Sequence, residues 1–277
     1  QVAEWVGVYG VSALIMLINA GVAVTILKHL HRAPGVRRYR PHPEIYLAVI
    51  LVLFTVCQVG PVKVRRYKSA WCNLRVAVVQ PNIAQERKLE EGDAGRIVTT
   101  LRNLTLTAMR GGEPPGLVVW PETSTPDCLN DPNGLTGPLV RELTTNGVPL
   151  LVGTMDFEEV VKNYRLYNAA IMVDKGAIVG RYYKQHLVPV GEYVPLAGVF
   201  PILERCAPFG WTCSPGREAT IFKLKPDVSF GALICFEDVF PSLAREFVRR
   251  DARLLVNMTN DGWFDGSAAT EQHLAHF

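Results

Sequence analysis

Two uncharged apolar runs stand within the first 62 residues and constrain this chain more than any other feature. Residues 5–27, from Trp5 through Leu27, carry no charge over 23 positions, and residues 45–62, from Ile45 through Val62, carry none over 18. A helix needs roughly 18 to 20 such residues to cross the hydrocarbon core of a bilayer. Asn19, Thr25, Thr55 and Gln58 are among the few polar side chains within them. The first run is too long, and lacks the preceding basic residues, to read as a secretory signal. The expectation is a membrane region over residues 1–71 with two spanning helices. The competing arrangement is a helical hairpin buried in a globular core.

Charge distribution refines this reading. Lys28, Arg32, Arg37, Arg38 and Arg40 lie between the runs, and the positive-inside rule places that loop in the cytoplasm and the rest of the chain outside. Lys63, Arg65, Arg66 and Lys68 follow the second run, so the balance is five against four. A net charge of +3 gives no footprint for nucleic acid, and basic residues beside apolar spans suit anionic lipid headgroups. The six cysteines form no C-x-x-C pair and no spacing with histidine that holds zinc. No metal and no cofactor is expected. Cys206 and Cys213 are close enough in sequence for a disulfide in an extracytoplasmic domain, or stand as two free thiols.

From Cys72 onward the texture changes. Short apolar runs at residues 73–80, 116–120, 149–153, 169–173, 228–234 and 253–258 read as buried strands. Residues 85–110 and 241–250 carry apolar residues at helical spacing, the second opening on Pro241. Alternating strands and helices predict a layered α/β domain over residues 72–277.

Reactive groups in such domains collect beyond the carboxyl ends of strands. Three predicted strand ends carry polar residues that a core would not select: Glu122 after GLVVW, Cys235 after VSFGALI and Asn260 after RLLV. If those strands are neighbours, the three residues share one rim. Cys235 also precedes a helix, whose N-terminus favours a thiolate. A thiol nucleophile needs a base and an oxyanion partner. His273 and His276 lie outside any strand-end context, so the base falls to Glu122 and the cation to Lys184, in RYYKQHL. Each residue alone is more simply a core thiol or a solvated charge; their combination points to chemistry.

The segments VVWPETSTP around Glu122, RYYKQHLVPVGEYVPL around Lys184 and LICFEDVFP around Cys235 resemble, in that order, the Glu-Lys-Cys motifs of the nitrilase superfamily. With apolar runs before them and NMTNDGWF after, they are most similar to its membrane-embedded apolipoprotein N-acyltransferase branch. The resemblance implies a four-layer αββα sandwich, preceded by transmembrane helices, facing the periplasm from a bacterial inner membrane. It implies Glu122 as general base, Lys184 as oxyanion stabiliser and Cys235 as nucleophile. Supporting or substrate-binding roles fall to Glu192, Tyr193, Trp211, Glu237, Asn260 and Trp263. The implied partners are a phospholipid acyl donor and the diacylglyceryl-cysteine N-terminus of an apolipoprotein, acted on by a monomer.

Residues 187–216 fit that substrate class. They are rich in Pro and Gly yet carry Leu196, Val199, Phe200, Ile202, Leu203, Phe209 and Trp211. An apolar loop without helical or strand period suits a lid against an acyl chain, or packs on the domain as a covering loop. Relative to the branch it resembles, the chain has fewer spans and stops early, so a fragment with its catalytic residues present is expected, incompletely folded or inactive in isolation. Two other functions stay open: a membrane-tethered amidase or nitrilase acting on a small soluble substrate, and a silent binding module, against which the intact Glu122, Lys184 and Cys235 argue.

Overall fold

The computed structural model of the chain describes residues 3–30, 43, 46–53, 74–84, 88, 92–145, 147–160, 163–197, 199–200, 202, 212–264 and 267–276. It divides into two compact units, Gln1–Cys72 and Asn73–Phe277.

In the first unit the opening apolar run forms helix α1, Ala3–Leu30, with Gly7 at φ 67° where the axis kinks. The left-handed backbone there is open to glycine at little cost. Thr25 returns its hydroxyl to the Gly21 carbonyl at 2.9 Å, which hides that polar group within the helix. The stretch Tyr9–Lys28 runs for 20 residues with none of them buried. At about 1.5 Å per residue it covers roughly 30 Å, the thickness of a bilayer core. Of the second apolar run, residues 46–53 are helical, while residues 54–62 lie outside the described residues. Among the described residues one helix is long and apolar enough to cross a membrane.

The second unit is built on two mixed sheets. The larger has the order β1 (Val76–Val78), β2 (Leu117–Val119), β3 (Leu150–Val160), β4 (Asn163–Asp174), β5 (Ala177–Tyr183). Its first three strands are parallel and its last three antiparallel. The smaller has β6 (Ile221–Lys225), β7 (Val228–Ile234) and β8 (Leu254–Met258), with β7 and β8 parallel.

Strand alternation decides which side chains face which layer. Val118, Trp120, Leu150, Val152 and Ile171 pack with Ile97 and Leu101 of α2 (Ala94–Arg110) and Leu139, Val140 and Leu143 of α3 (Thr136–Thr145). Their sequence neighbours Leu117, Val119, Leu151, Ala170 and Met172 point the other way. There they join Phe222, Phe230, Ala232 and Ile234 of the smaller sheet in a second core. Leu243 and Phe247 of α4 (Pro241–Arg249) close that core. A Cβ on Gly231 would come within 2.4 Å of the Phe247 ring, so β7 yields its side chain to let α4 seat. A last helix, α5 (Ala269–His276), follows β8.

The predicted strands are all present, several with different ends. The hairpin β3–β4 extends well past its apolar runs because its outer half alternates, as in Asp156-Phe157-Glu158, and half-buried strands of that kind carry charge. The edge strands β5 and β6 and the helices α3 and α5 were not predicted: β5 and β6 bury a single residue each, α3 buries threonines and a glycine beside its leucines, and the described residues of α5 are not buried, so a search for continuous apolar runs passes over them.

Candidate active site

Glu122 lies just beyond β2, and its position is set by a glycine on the neighbouring strand. A Cβ on Gly153 of β3 would sit 2.1 Å from the Pro121 carbonyl oxygen and 2.7 Å from the Glu122 Cα. With no side chain there, the turn after β2 crosses over β3. Ser124 N–H and Oγ both donate to the Gly153 carbonyl, at 2.9 and 3.0 Å. Thr123 takes φ 42° to complete the turn. Glu122 is thereby carried one strand toward β4.

Lys184 approaches from the opposite side. It follows β5, and its N–H donates to the Asn168 carbonyl on β4 at 2.9 Å. Its Nζ lies 2.9 Å from Glu192 Oε1 and 3.4 Å from Glu122 Oε1, with only 1% of the side chain exposed. Between them stands Asn168, whose Nδ2 donates to Glu122 Oε1 at 2.8 Å and to Glu192 Oε1 at 2.7 Å. Glu192 Oε2 accepts the Val188 N–H at 2.8 Å. One buried cation thus serves two carboxylates, and an amide donor keeps them in place. Burial alone lowers a lysine pKa, but Glu122 and Glu192 outweigh it and hold Lys184 charged above the ordinary lysine range.

Cys235 follows β7 and opens a 3₁₀ turn, Cys235–Val239, at φ 54°. Strain of this kind in a non-glycine residue persists only where surrounding structure enforces it. The enforcing group is Glu237, which is fully buried. Its carboxylate accepts the N–H groups of Ile234, Gln185 and His186 at 2.9, 2.7 and 3.1 Å, and the Tyr182 hydroxyl at 2.8 Å. One side chain therefore ties the Cys235 turn to the segment that follows Lys184. Burial pushes the Glu237 carboxyl above its usual range, against the pull of those donors.

Asn260, beyond β8, donates its N–H to Glu122 Oε2 at 3.0 Å. The three strand-end residues therefore do meet, but not on neighbouring strands of one sheet. Glu122 comes from the larger sheet, Cys235 and Asn260 from the smaller, and the rim is shared across the two.

The expectation of a helix-stabilised thiolate at Cys235 is corrected. Burial, and then the Glu122 charge, push its pKa up to about 12, against the lowering effects of Lys184, the Thr259 hydroxyl and the Phe236 N–H. Helix α4 begins only at Pro241, too far along for its dipole to reach the sulfur with force. The resting group is a thiol, so attack on a carbonyl requires that its proton be removed as it reacts.

A cavity of about 750 Å³ is lined by Gln185 and Phe236, the residues that follow Lys184 and Cys235 in sequence. Leu187, Pro189, Tyr193, Val194, Phe236 and Phe240 supply most of its apolar wall. Its walls include part of the Pro- and Gly-rich segment singled out in the sequence. Trp211 lies outside the described residues, as does Cys206; Cys213 is a buried free thiol on the cavity wall. Trp263 is half exposed on the 3₁₀ turn Asp261–Phe264.

Sequence reasoning missed Asn168, whose signal was a polar amide opening the apolar run of β4. It also missed Tyr182 and Lys88. Lys88 is partly buried, which lowers its pKa, and feels the Glu122 charge.

The sequence profile of the carbon-nitrogen hydrolases matches residues 75–276. The chain belongs to the carbon-nitrogen hydrolase family. Apolipoprotein N-acyltransferases are similar to it along 99% of its length: that of Geobacter metallireducens is 34% identical over 280 residues and that of Chlorobaculum tepidum 30% identical over 305. The chain spans 52% and 55% of those two relatives. Among solved structures, a carbon-nitrogen hydrolase from Helicobacter pylori G27 covers 73% of this chain, and this chain covers 66% of it, at TM-score 0.51 and 18% identity. It shares the fold of this carbon-nitrogen hydrolase unit.

Proposed function

We propose that the chain carries the catalytic centre of an apolipoprotein N-acyltransferase, with Glu122, Lys184 and Cys235 as base, oxyanion stabiliser and nucleophile. The observation that carries this reading is the buried Glu122–Lys184–Glu192 cluster within electrostatic reach of the Cys235 thiol, whose turn borders a largely apolar cavity through Phe236. The similarity to apolipoprotein N-acyltransferases along 99% of the chain supports it.

The chemistry follows from the groups present. Cys235 Sγ attacks the ester carbonyl carbon of a phospholipid while its proton passes to Glu122. The new oxyanion is held by the Lys184 ammonium, a fixed charge in a water-poor site where such stabilisation is strong. The carbon–oxygen bond breaks, the lysophospholipid leaves with the proton from Glu122, and a Cys235 thioester remains. The α-amino group of a diacylglyceryl-cysteine then attacks the thioester and gives a proton to Glu122. The carbon–sulfur bond breaks, and the sulfur recovers that proton. Lys184 serves both tetrahedral states, and its Glu192 partner keeps it charged through both.

The cavity lined by Phe236, Phe240, Tyr193 and Leu187 suits an acyl chain, being apolar and adjacent to the sulfur-bearing turn. Helix α1, apolar all round and unburied, suits a surrounding of lipid rather than water. On this reading the protein resides in a bacterial inner membrane with the catalytic unit at its periplasmic surface.

The test is intact-mass analysis after incubation with phosphatidylethanolamine vesicles. A covalent acyl increment that is lost in Cys235→Ala is expected. Hydrolysis of simple amides with no acyl increment at any time would instead establish an amidase.

A further inference from the structure

Three chain segments meet beneath Cys235, with a histidine at their junction. Asp238 belongs to the 3₁₀ turn that Cys235 opens, Asp261 begins the turn after β8, and His273 projects from α5. The imidazole Nδ1 lies 2.8 Å from Asp261 Oδ1, and Nε2 lies 3.4 Å from Asp238 Oδ2. The His273 side chain is 11% exposed and that of Asp238 2%.

Further links lead from this group to the nucleophile. Asn257 Nδ2 donates to Asp238 Oδ2 at 3.2 Å and to the Cys235 carbonyl at 3.4 Å. Thr259 Oγ1 donates to Asp261 Oδ1 at 2.9 Å and also engages the Cys235 thiol. The His273 ring itself reaches the Cys235 backbone. Both side-chain partners of the imidazole are carboxylates, which accept only. Only the Nδ1 contact is a hydrogen bond; among the described residues Nε2 has no hydrogen-bond partner, and it faces Asp238 at ion-pairing distance. A neutral ring has one N–H and serves Asp261 alone, whereas the imidazolium bonds Asp261 and attracts Asp238 as well.

We infer that His273 is a positioning residue for Cys235: as an imidazolium spanning Asp238 and Asp261, it locks the turns after β7 and β8 together and so fixes the sulfur against Glu122 and Lys184. The inference rests on Cys235 being the nucleophile.

The charge that this needs is favoured. Burial opposes it, but the hydrogen bond that the ring donates to Asp261 and the charges of Asp238 and Asp261 prevail and raise the His273 pKa. The groups facing the ring are Asp238, Asp261, the Cys235 backbone and the neutral edge of Phe264, at 6.4 Å between centroids. Because the folded pKa lies above the unfolded value, the clamp is complete below the ordinary histidine value of about 6.5 and is lost as pH rises through the raised one.

The experiment measures the acylation burst of the full chain with p-nitrophenyl butyrate, an activated ester that reports on the thiol whatever the natural acyl donor. Wild type and His273→Gln are compared from about pH 5.5 to about pH 9, a range that spans histidine titration. At the acid end the variant is expected to be slower by roughly ten- to a hundred-fold in kcat, as for a small misplacement of a reacting group, with KM unchanged. The gap closes as pH rises and the wild-type ring loses its proton. A gap that stays constant with pH means a packing role only and overturns the inference, as does equal activity throughout. If His273→Gln fails to fold, Asp261→Asn is used instead. It removes one carboxylate and so moves the alkaline fall of the burst to lower pH, and an unmoved fall overturns the inference. A burst that survives in Cys235→Ala removes the nucleophile and the inference with it. A Cys235-dependent burst with no acylation from phosphatidylethanolamine vesicles rejects the phospholipid reading alone and leaves His273 to be judged on the ester.

Discussion

The backbone N–H of Asn260 donates to Glu122 Oε2 across 3.0 Å, joining two residues 138 positions apart and two different sheets. That bond occupies one carboxylate oxygen of Glu122, while Asn168 and Lys184 share the other. The Glu122 carboxylate is therefore fixed by donors from three segments, and its orientation does not depend on a bound substrate.

Replacing Glu122 by glutamine tests the base without emptying the site. The amide is nearly the same shape, and Lys184 keeps Glu192 as its partner at 2.9 Å. The expected outcome is a folded protein whose single-turnover acyl transfer falls by about 10² to 10⁴, the usual contribution of a positioned general base. Quenched-flow acyl loading with a folded-state control by circular dichroism measures it.

The same substitution has an opposite effect on the thiol. Glu122 is the second cause, after burial, that pushes Cys235 up to about 12. With that charge removed the thiolate becomes easier to form. Iodoacetamide alkylation of Cys235, mapped by peptide mass across pH, is expected to gain its thiolate limb at lower pH in Glu122→Gln than in wild type, even as acyl transfer collapses. An unchanged limb means that Glu122 does not act on the sulfur.

Asn168→Ala removes the donor that both carboxylates share. Its Nδ2 is 2.8 Å from Glu122 and 2.7 Å from Glu192, deep in the unit. Leaving buried acceptors short of a partner costs about 1–3 kcal/mol each, and more where they are charged. Urea denaturation of the variant is expected to show a loss of at least that order. Asn168→Asp, which adds a third carboxylate beside one lysine, is expected to be worse than alanine.

How much of this was legible in the sequence depends on what carried the information. Glu122 and Cys235 were readable because each ends an apolar strand on a residue no core would select, and Lys184 because thiol chemistry needs a cation and RYYKQHL resembles the lysine motif of the family. That they meet was not, because Gly153 lets one turn cross a strand and Asn168 bridges it, and neither residue shows its partners in sequence. His273 was set aside for lacking a strand-end context, yet α5 carries it to the turns beneath Cys235. A short helix with a weak apolar stripe gives no such warning. Glu237 was read as a neighbour of the nucleophile, and its four donors became visible only with the fold.

Gly153→Ala examines the device that brings the site together. The added Cβ would fall 2.1 Å from the Pro121 carbonyl oxygen and 2.7 Å from the Glu122 Cα, both backbone atoms with no rotamer to change. Contacts under about 3 Å between heavy atoms of this kind are repulsive, so the turn must lift off β3. Lifting it pulls Glu122 from Asn168, Lys184 and the Asn260 N–H together, because all three bonds depend on the same backbone position. The strand pairing of β3 with β4 does not run through that turn and remains. The expected result is a loss of acyl transfer comparable to that of Glu122→Gln, on the order of 10² or more, alongside a modest loss of thermal stability. A variant with activity near wild type would show that Glu122 reaches the site without the crossing over β3. A lifted turn also leaves Lys184 with Glu192 alone, so the thiol of this variant, like that of Glu122→Gln, should alkylate at lower pH.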